Sequence, residues 1–150
     1  MLRYASPEDF QFIFMLIRME AKNGHFVLEP ASVVPFGLEL KSVLASRTRQ
    51  DGTHAYALIY EEDGEPIGFV IVSFNSVNNV YELFLSAIWP KHRGKSKGKA
   101  MIAELLSQFN VDLMARCAPE SEAMFHILTI NGFRHVGTGQ KGVRALLRTL

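Results

Sequence analysis

Between Tyr81 and Ile102 an apolar, aromatic-rich stretch (Tyr81 to Trp89) runs into a turn dense in glycine and lysine, and the turn runs into apolar residues at helical spacing. A strand, a cationic turn and a helix in direct succession put unpartnered helix amides and the positive end of the helix dipole beside the turn. That arrangement suits phosphate groups. Lys91-His92-Arg93-Gly94-Lys95-Ser96-Lys97-Gly98-Lys99 holds five of the 16 Lys and Arg and no acid, whereas the 11 basic residues elsewhere face 15 acids. A basic island therefore sits on a mildly acidic body, although the formal net charge is only +1. This balance excludes a globally basic nucleic-acid binder and fits a local polyanion-binding loop.

The periodicity around this segment predicts one domain over residues 1–150. Leu2 to Ala5 reads as a strand, and Ser6-Pro7-Glu8-Asp9 opens a helix to about Asn23, ended by Gly24. A second helix is expected from about Phe36 to Arg47. The period then shortens: His54 to Tyr60, Ile67 to Phe74 and Val80 to Trp89 read as strands, the first two joined as a hairpin. Lys99 to Phe109 (helix), Val111 to Cys117 (strand), Ser121 to Ile130 (helix) and Phe133 to Leu150 (hairpin) complete the order β α α β β β α β α β β. The implied fold class is α/β, with a central mixed β-sheet flanked by helices on both faces.

The turn is not a nucleoside triphosphate loop of the Walker A kind. Three residues rather than four separate Gly94 from Gly98, and Ala100 follows Lys99 where a Ser or Thr is needed. Arg93-Gly94-Lys95-Ser96-Lys97-Gly98, preceded by Ile88-Trp89-Pro90-Lys91-His92, instead resembles the pyrophosphate loop Gln/Arg-x-x-Gly-x-Gly/Ala of the GCN5-related N-acetyltransferase superfamily. The match lies at the Arg and the last Gly. Ser96 stands where the family has its middle glycine, so either that position is helical or the loop is altered. Ser121 to Phe133 looks like the family's helix ending in a Gly-Phe pair, and the strand order agrees over nearly the whole chain. Leu128 occupies the place of the tyrosine that usually protonates the coenzyme A thiolate.

The resemblance implies the acyl-CoA N-acyltransferase fold, acetyl-CoA as co-substrate, and direct attack of an amine on the thioester without a covalent enzyme intermediate. The cofactor-binding residues it implies are Ile88, Arg93, Gly94, Lys95, Ser96, Lys97, Gly98 and Lys99. An amine of pKa ~10.4 is only ~0.04% neutral at pH 7, so it needs a base or a desolvating site. Glu82 is the candidate base, and the Ile88 amide is the implied oxyanion donor. Even spacing puts Glu82 and Ile88 on one face of a regular strand unless a bulge intervenes. The other reading of Glu82 is a surface residue paired with a cation. His126, on the helix lacking the tyrosine, is a second proton-donor candidate or an ordinary surface histidine.

Gly137-Thr138-Gly139-Gln140-Lys141-Gly142 spells a dinucleotide fingerprint, but only eight residues follow, too few for the strand and acid the motif requires. A hairpin turn is expected there. No histidine spacing suggests a metal site, and the single Cys117 reads as a small buried hydrophobe in a chain that fits a reducing cytoplasm. Phe10, Phe12 and Phe14 read as helix packing. No apolar run reaches the ~20 residues of a membrane span, and the first residues carry no export signal. Expected partners are an amine-bearing small molecule or protein and, as for many such domains, a second copy in a homodimer. The alternative is an acetyltransferase-fold protein without transfer chemistry, whose basic island binds nucleic acid or another polyanion.

Overall fold

The computed structural model describes residues 1–150. Strands β1 (Leu2–Tyr4), β2 (Ala55–Glu62), β3 (Glu65–Asn75), β4 (Val80–Ile88), β5 (Leu113–Cys117), β6 (Arg134–Thr138) and β7 (Arg144–Arg148) form one sheet in the order β1-β2-β3-β4-β5-β7-β6. All neighbours are antiparallel except β4 and β5, which are joined by the crossover helix α3 (Lys97–Gln108). Helices α1 (Phe10–Lys22) and α2 (Val33–Ser46) cover one face, and α3 with α4 (Glu122–Ile130) the other. The expected element order and two-faced architecture are both present. The hairpin β6–β7 turns through Gly139 and Gly142, where the G-x-G-x-x-G string lies. No helix is long and apolar enough to cross a membrane.

The core lies in two layers split by the sheet. On β3, Phe69 and Ile71 pack with Ile13, Ile17 and Leu40 below α1 and α2, while Val70 and Val72 pack with Met101, Ile102 and Leu105 below α3. Every residue from Ile67 to Ser73 is buried, as a central strand covered on both faces must be. Each such large side chain contributes about 1.5–3 kcal/mol by leaving water. Phe10 stacks on Phe14 at 5.1 Å and Phe12 on Trp89 at 5.9 Å, which is the expected packing role. α2 begins at Val33, three residues earlier than its apolar pattern suggests. Pro35 falls in the first turn, where its missing amide has no helical partner to lose.

Two local features aim the functional residues. Ile71 pairs with Leu85 but Val72 with Leu83, so Phe84 is an extra residue in β4. This bulge shifts the side-chain alternation: Leu83 and Ile88 share the layer below α3, while Leu85 and Ala87 belong to the other. Glu82 consequently faces the α1–α2 side and Ile88 the α3–α4 side, and the single shared face expected from even spacing is corrected. The second feature is Gly68, opposite Ile88. A Cβ there would sit 2.7 Å from Ile88 Cδ1 and 2.8 Å from the Ala87 carbonyl oxygen, so only glycine lets β3 hold the end of β4 this closely.

Candidate active site

β4 and β5 are paired only where Tyr81, Glu82 and Leu83 meet Leu113, Met114 and Ala115. Beyond Leu83 the two strands part. The Trp89 amide donates to the Ile67 carbonyl at 2.7 Å, which makes that pair the hydrogen-bonded one. By antiparallel alternation, the amides of Ile88 and Ser86 point away from β3 and into the opening.

The turn after β4 is held in shape by its backbone. Gly94 takes φ +76 and Ser96 takes φ 59, ψ 20, both left-handed, before α3 starts at Lys97. Ser96 thus adopts the glycine conformation itself, at a cost of about 1–2 kcal/mol, rather than becoming helical. The Ala100 amide is the first to bond back into the helix, to Ser96, so those of Lys97, Gly98 and Lys99 remain for a ligand. Gly98 is confined: a Cβ would meet Ile127 Cδ1 at 3.2 Å. α3 starts two residues before its apolar pattern because its first turn is this cationic stretch.

The five cations of the island do not act alike. Lys91 lies 3.6 Å from Glu65, Lys97 pairs with Glu62, and Arg93 pairs with Glu20, whereas Lys95 and Lys99 have no acidic partner. The hydrogen bond to Glu62 raises the Lys97 ammonium above its usual range. Arg93 Nε also donates to the Ile88 carbonyl at 2.8 Å, so this guanidinium braces the end of β4 against α1. Beside the turn lies a cleft of about 520 Å³, bordered by Ile88, Gly94, Ser96, Lys99, Met124 and Ile127. This concave amide cradle, with the unpaired Lys99 on its border and the unpaired Lys95 in the same turn, fits a diphosphate-bearing ligand.

Glu82 occupies a separate polar pocket of about 180 Å³ on the far side of the sheet. It is only 4% exposed, and Arg116 binds it from β5, Nε to Oε2 at 2.7 Å and Nη2 to Oε1 at 3.2 Å. Asn75 Nδ2 adds a bond to Oε1 at 3.2 Å. Glu82 is therefore paired with a cation but is not a surface residue. The buried Ser73 hydroxyl, opposite Glu82 on β3, has no partner within the chain and borders the same pocket. A narrow space of about 30 Å³ beside Phe84, Ser86, Cys117 and Met124 lies between this pocket and the cleft, bordered by Phe84 and Arg116 of the pocket and by His25, Ser86 and Met124 of the cleft. Cys117 is buried there, and desolvation pushes its thiol up to about 11, far from a ready nucleophile.

Leu128 is 1% exposed in the core, so α4 offers no proton donor at that position. His126 is exposed on the cleft rim. The pattern-based reading missed Arg116, Glu20 and His25. His25 borders both the cleft and the linking space, and its Nδ1 lies 2.6 Å from the buried Glu20 carboxylate. Glu20 was open to detection, since it lies three residues after Ile17 and seven after Ile13 on the apolar stripe of α1.

Residues 25–124 match the model of the acetyltransferase (GNAT) family. No curated protein sequence matches the chain. A phosphinothricin acetyltransferase from Sinorhizobium meliloti, solved with AcCoA, superposes with a TM-score of 0.75 at 21% identity, over 100% of this chain and 88% of that one. The ribosomal-protein-alanine N-acetyltransferase of Brucella melitensis gives 0.75 at 19% identity over 100% and 99%, and the PaiA N-acetyltransferase of Thermoplasma acidophilum, solved with coenzyme A, 0.74 at 16% over 100% and 98%. The mixed sheet with its parting β4 and β5 is the acyl-CoA N-acyltransferase fold. This chain belongs to the GNAT acetyltransferase family.

Proposed function

We propose that the protein is an acetyl-CoA-dependent N-acetyltransferase acting on a primary amine. The observation that carries this reading is the parting of β4 and β5, with an amide cradle on one face of the sheet there and a buried carboxylate on the other. The residues that would hold acetyl-CoA are the backbone of Gly94 to Lys99, the side chains of Lys95 and Lys99, and the Ile88 amide. Arg93 borders the same cleft and also braces the turn through Glu20 and the Ile88 carbonyl. Acetyl-CoA supplies, when bound, an acetyl group activated as a thioester.

In this reading the Ile88 amide orients the acetyl carbonyl and stabilises charge developing on its oxygen. Glu82 receives the proton that an ammonium acceptor must lose, directly or through a water in its pocket. The acceptor is a compact polar amine or the tip of a larger one, since the pocket is small and its walls are polar. The names of the similar solved structures, which include N-acetyltransferases, support this reaction class. A reducing cytoplasm suits the lone buried thiol. Nothing in the site favours the polyanion-binding alternative, because three of the five island cations are engaged with acids of the chain itself.

The test is a panel of small amines, amino acids and peptides with acetyl-CoA, scored by release of free coenzyme A, with Glu82→Gln in parallel. At least one amine should be turned over, and Glu82→Gln should lower kcat about 100-fold or more at neutral pH with less effect as pH rises. Full activity of Glu82→Gln at every pH would remove Glu82 from the role of base.

A further inference from the structure

α1 ends in a left-handed turn that folds the chain back over its own last residues. Gly24 takes φ +75, its amide donates to the Ala21 carbonyl at 3.1 Å, and the His25 amide donates to the Glu20 carbonyl at 3.0 Å. In this Schellman arrangement, the residue after the left-handed glycine rests on the residue three positions before the cap, and the contact is commonly apolar. Here those residues are His25 and Glu20, so the helix ending itself builds a histidine–carboxylate pair, 2.6 Å from Nδ1 to Oε2. Glu20 is 5% exposed in the middle of an apolar stripe, and its other oxygen is held by Arg93, whose Nε binds the Ile88 carbonyl. One chain of contacts thus runs from the imidazole to the peptide proposed to face the thioester.

We propose that His25, positioned by Glu20, is the proton donor to the departing coenzyme A sulfur, the role left open by Leu128. The inference rests on the acetyltransferase reading above. Because Glu20 accepts from Nδ1, the proton of neutral His25 stays on Nδ1, and Nε2 is left without a partner in the chain. The ring is about one-third exposed and borders both the cleft and the narrow space beside Ser86 and Cys117. As the new N–C bond forms and the C–S bond breaks with its electron pair on sulfur, the imidazolium gives its Nε2 proton to that sulfur. The nitrogen, which enters as an ammonium, sheds two protons by way of Glu82 and water: one restores the imidazolium and the other leaves to solvent, so each turnover releases one proton. The charged and titratable groups that border the same cleft and narrow space as His25 are Glu20 of α1, Arg93 after β4, Lys97 and Lys99 of α3, Arg116 and Cys117 of β5, Glu120 before α4 and His126 of α4. The Glu120 carboxylate comes within 3.6 Å of where a Cβ on Gly24 would be.

The imidazole can be followed directly by nitrogen NMR in the free protein and with coenzyme A or desulfo-coenzyme A, which lacks the sulfur. Neutral His25 should carry its proton on Nδ1, coenzyme A should shift its Nε2 resonance, and desulfo-coenzyme A should leave Nε2 nearly unchanged. Glu20→Gln, which keeps a hydrogen-bonding oxygen, should mix the two tautomers. His25→Gln should bind acetyl-CoA within about twofold of the parent protein, lose about 100-fold in kcat with any amine that is turned over, and lose one limb of the pH profile. A neutral ring that carries its proton on Nε2, equal response to both analogues, or a fully active His25→Gln would overturn the assignment and leave the acetyltransferase reading standing. Failure of the parent protein to bind coenzyme A or acetyl-CoA would overturn both.

Discussion

Glu20 and Glu82 are the two buried carboxylates of the molecule, and they are built alike up to a point. Each is clasped by an arginine distant in sequence: Arg93 reaches Glu20 from the turn after β4, and Arg116 reaches Glu82 from β5. They part in their second partner and in what the arginine does with its remaining donors. Glu82 has the amide of Asn75, which cannot titrate, and opens on a polar pocket. Glu20 has the imidazole of His25, and its arginine also holds the Ile88 backbone. In the proposed mechanism the difference separates two tasks: Glu20 positions His25 on the cleft side of the sheet, while Glu82 takes up the amine proton on the other side.

Removing each arginine separates the two most sharply. Arg93→Met leaves Glu20 buried without its guanidinium and frees the Ile88 carbonyl, and should cost about 3 kcal/mol, or about 6–12 °C in Tm by thermal unfolding. Arg116→Met should cost about 1–2 kcal/mol, because Glu82 keeps Asn75 and its pocket has room for water. Equal losses would show that the Ile88 bond contributes nothing. Arg93→Met should also weaken acetyl-CoA binding, whereas Arg116→Met should not.

A smaller effect divides the lysines of the turn. Lys95→Gln or Lys99→Gln should each weaken acetyl-CoA binding about fivefold, about 1 kcal/mol, measured by calorimetry at low salt. Lys91→Gln should leave it unchanged, since Lys91 sits by Glu65. A loss shared equally by all three would mean that the island acts as a diffuse charge rather than through the two unpaired lysines.

The smallest effect lies outside both sites and supplies a control for the pH measurements. The hydrogen bonds from Arg3 hold the Asp9 carboxyl below its usual range, so the stabilisation is present above about pH 4 and fades as pH falls through the lower native value. Asp9→Asn should lower Tm by about 2 °C at pH 7, and the gap between variant and parent should close as pH falls through the lowered native value.

Much of this was open to reading in the sequence, for physical reasons that also mark where reading stops. The element order followed from periodicity, because strands and helices bury their faces at different spacings. The cradle followed from glycines 94 and 98 beside a helix start. The Phe84 bulge left no trace in composition, since one extra apolar residue in an apolar strand changes the facing of Glu82 without changing the pattern. Ser96 could not be resolved either, because its left-handed φ is imposed by the turn against its own preference. Arg116 reaches Glu82 only through the parallel pairing of β4 with β5, which sequence spacing does not encode. His25 and Glu20, by contrast, were within reach: a carboxylate on an apolar stripe, four residues before a helix-ending glycine, is a local pattern.

The most direct test is isothermal titration of the parent protein with acetyl-CoA at neutral pH and low salt. Saturable one-to-one binding in the micromolar range, weakened by Lys99→Gln and unaffected by Lys91→Gln, is the predicted result. No heat of binding at several hundred micromolar acetyl-CoA, with the protein folded, would contradict the assignment of the amide cradle between β4 and α3.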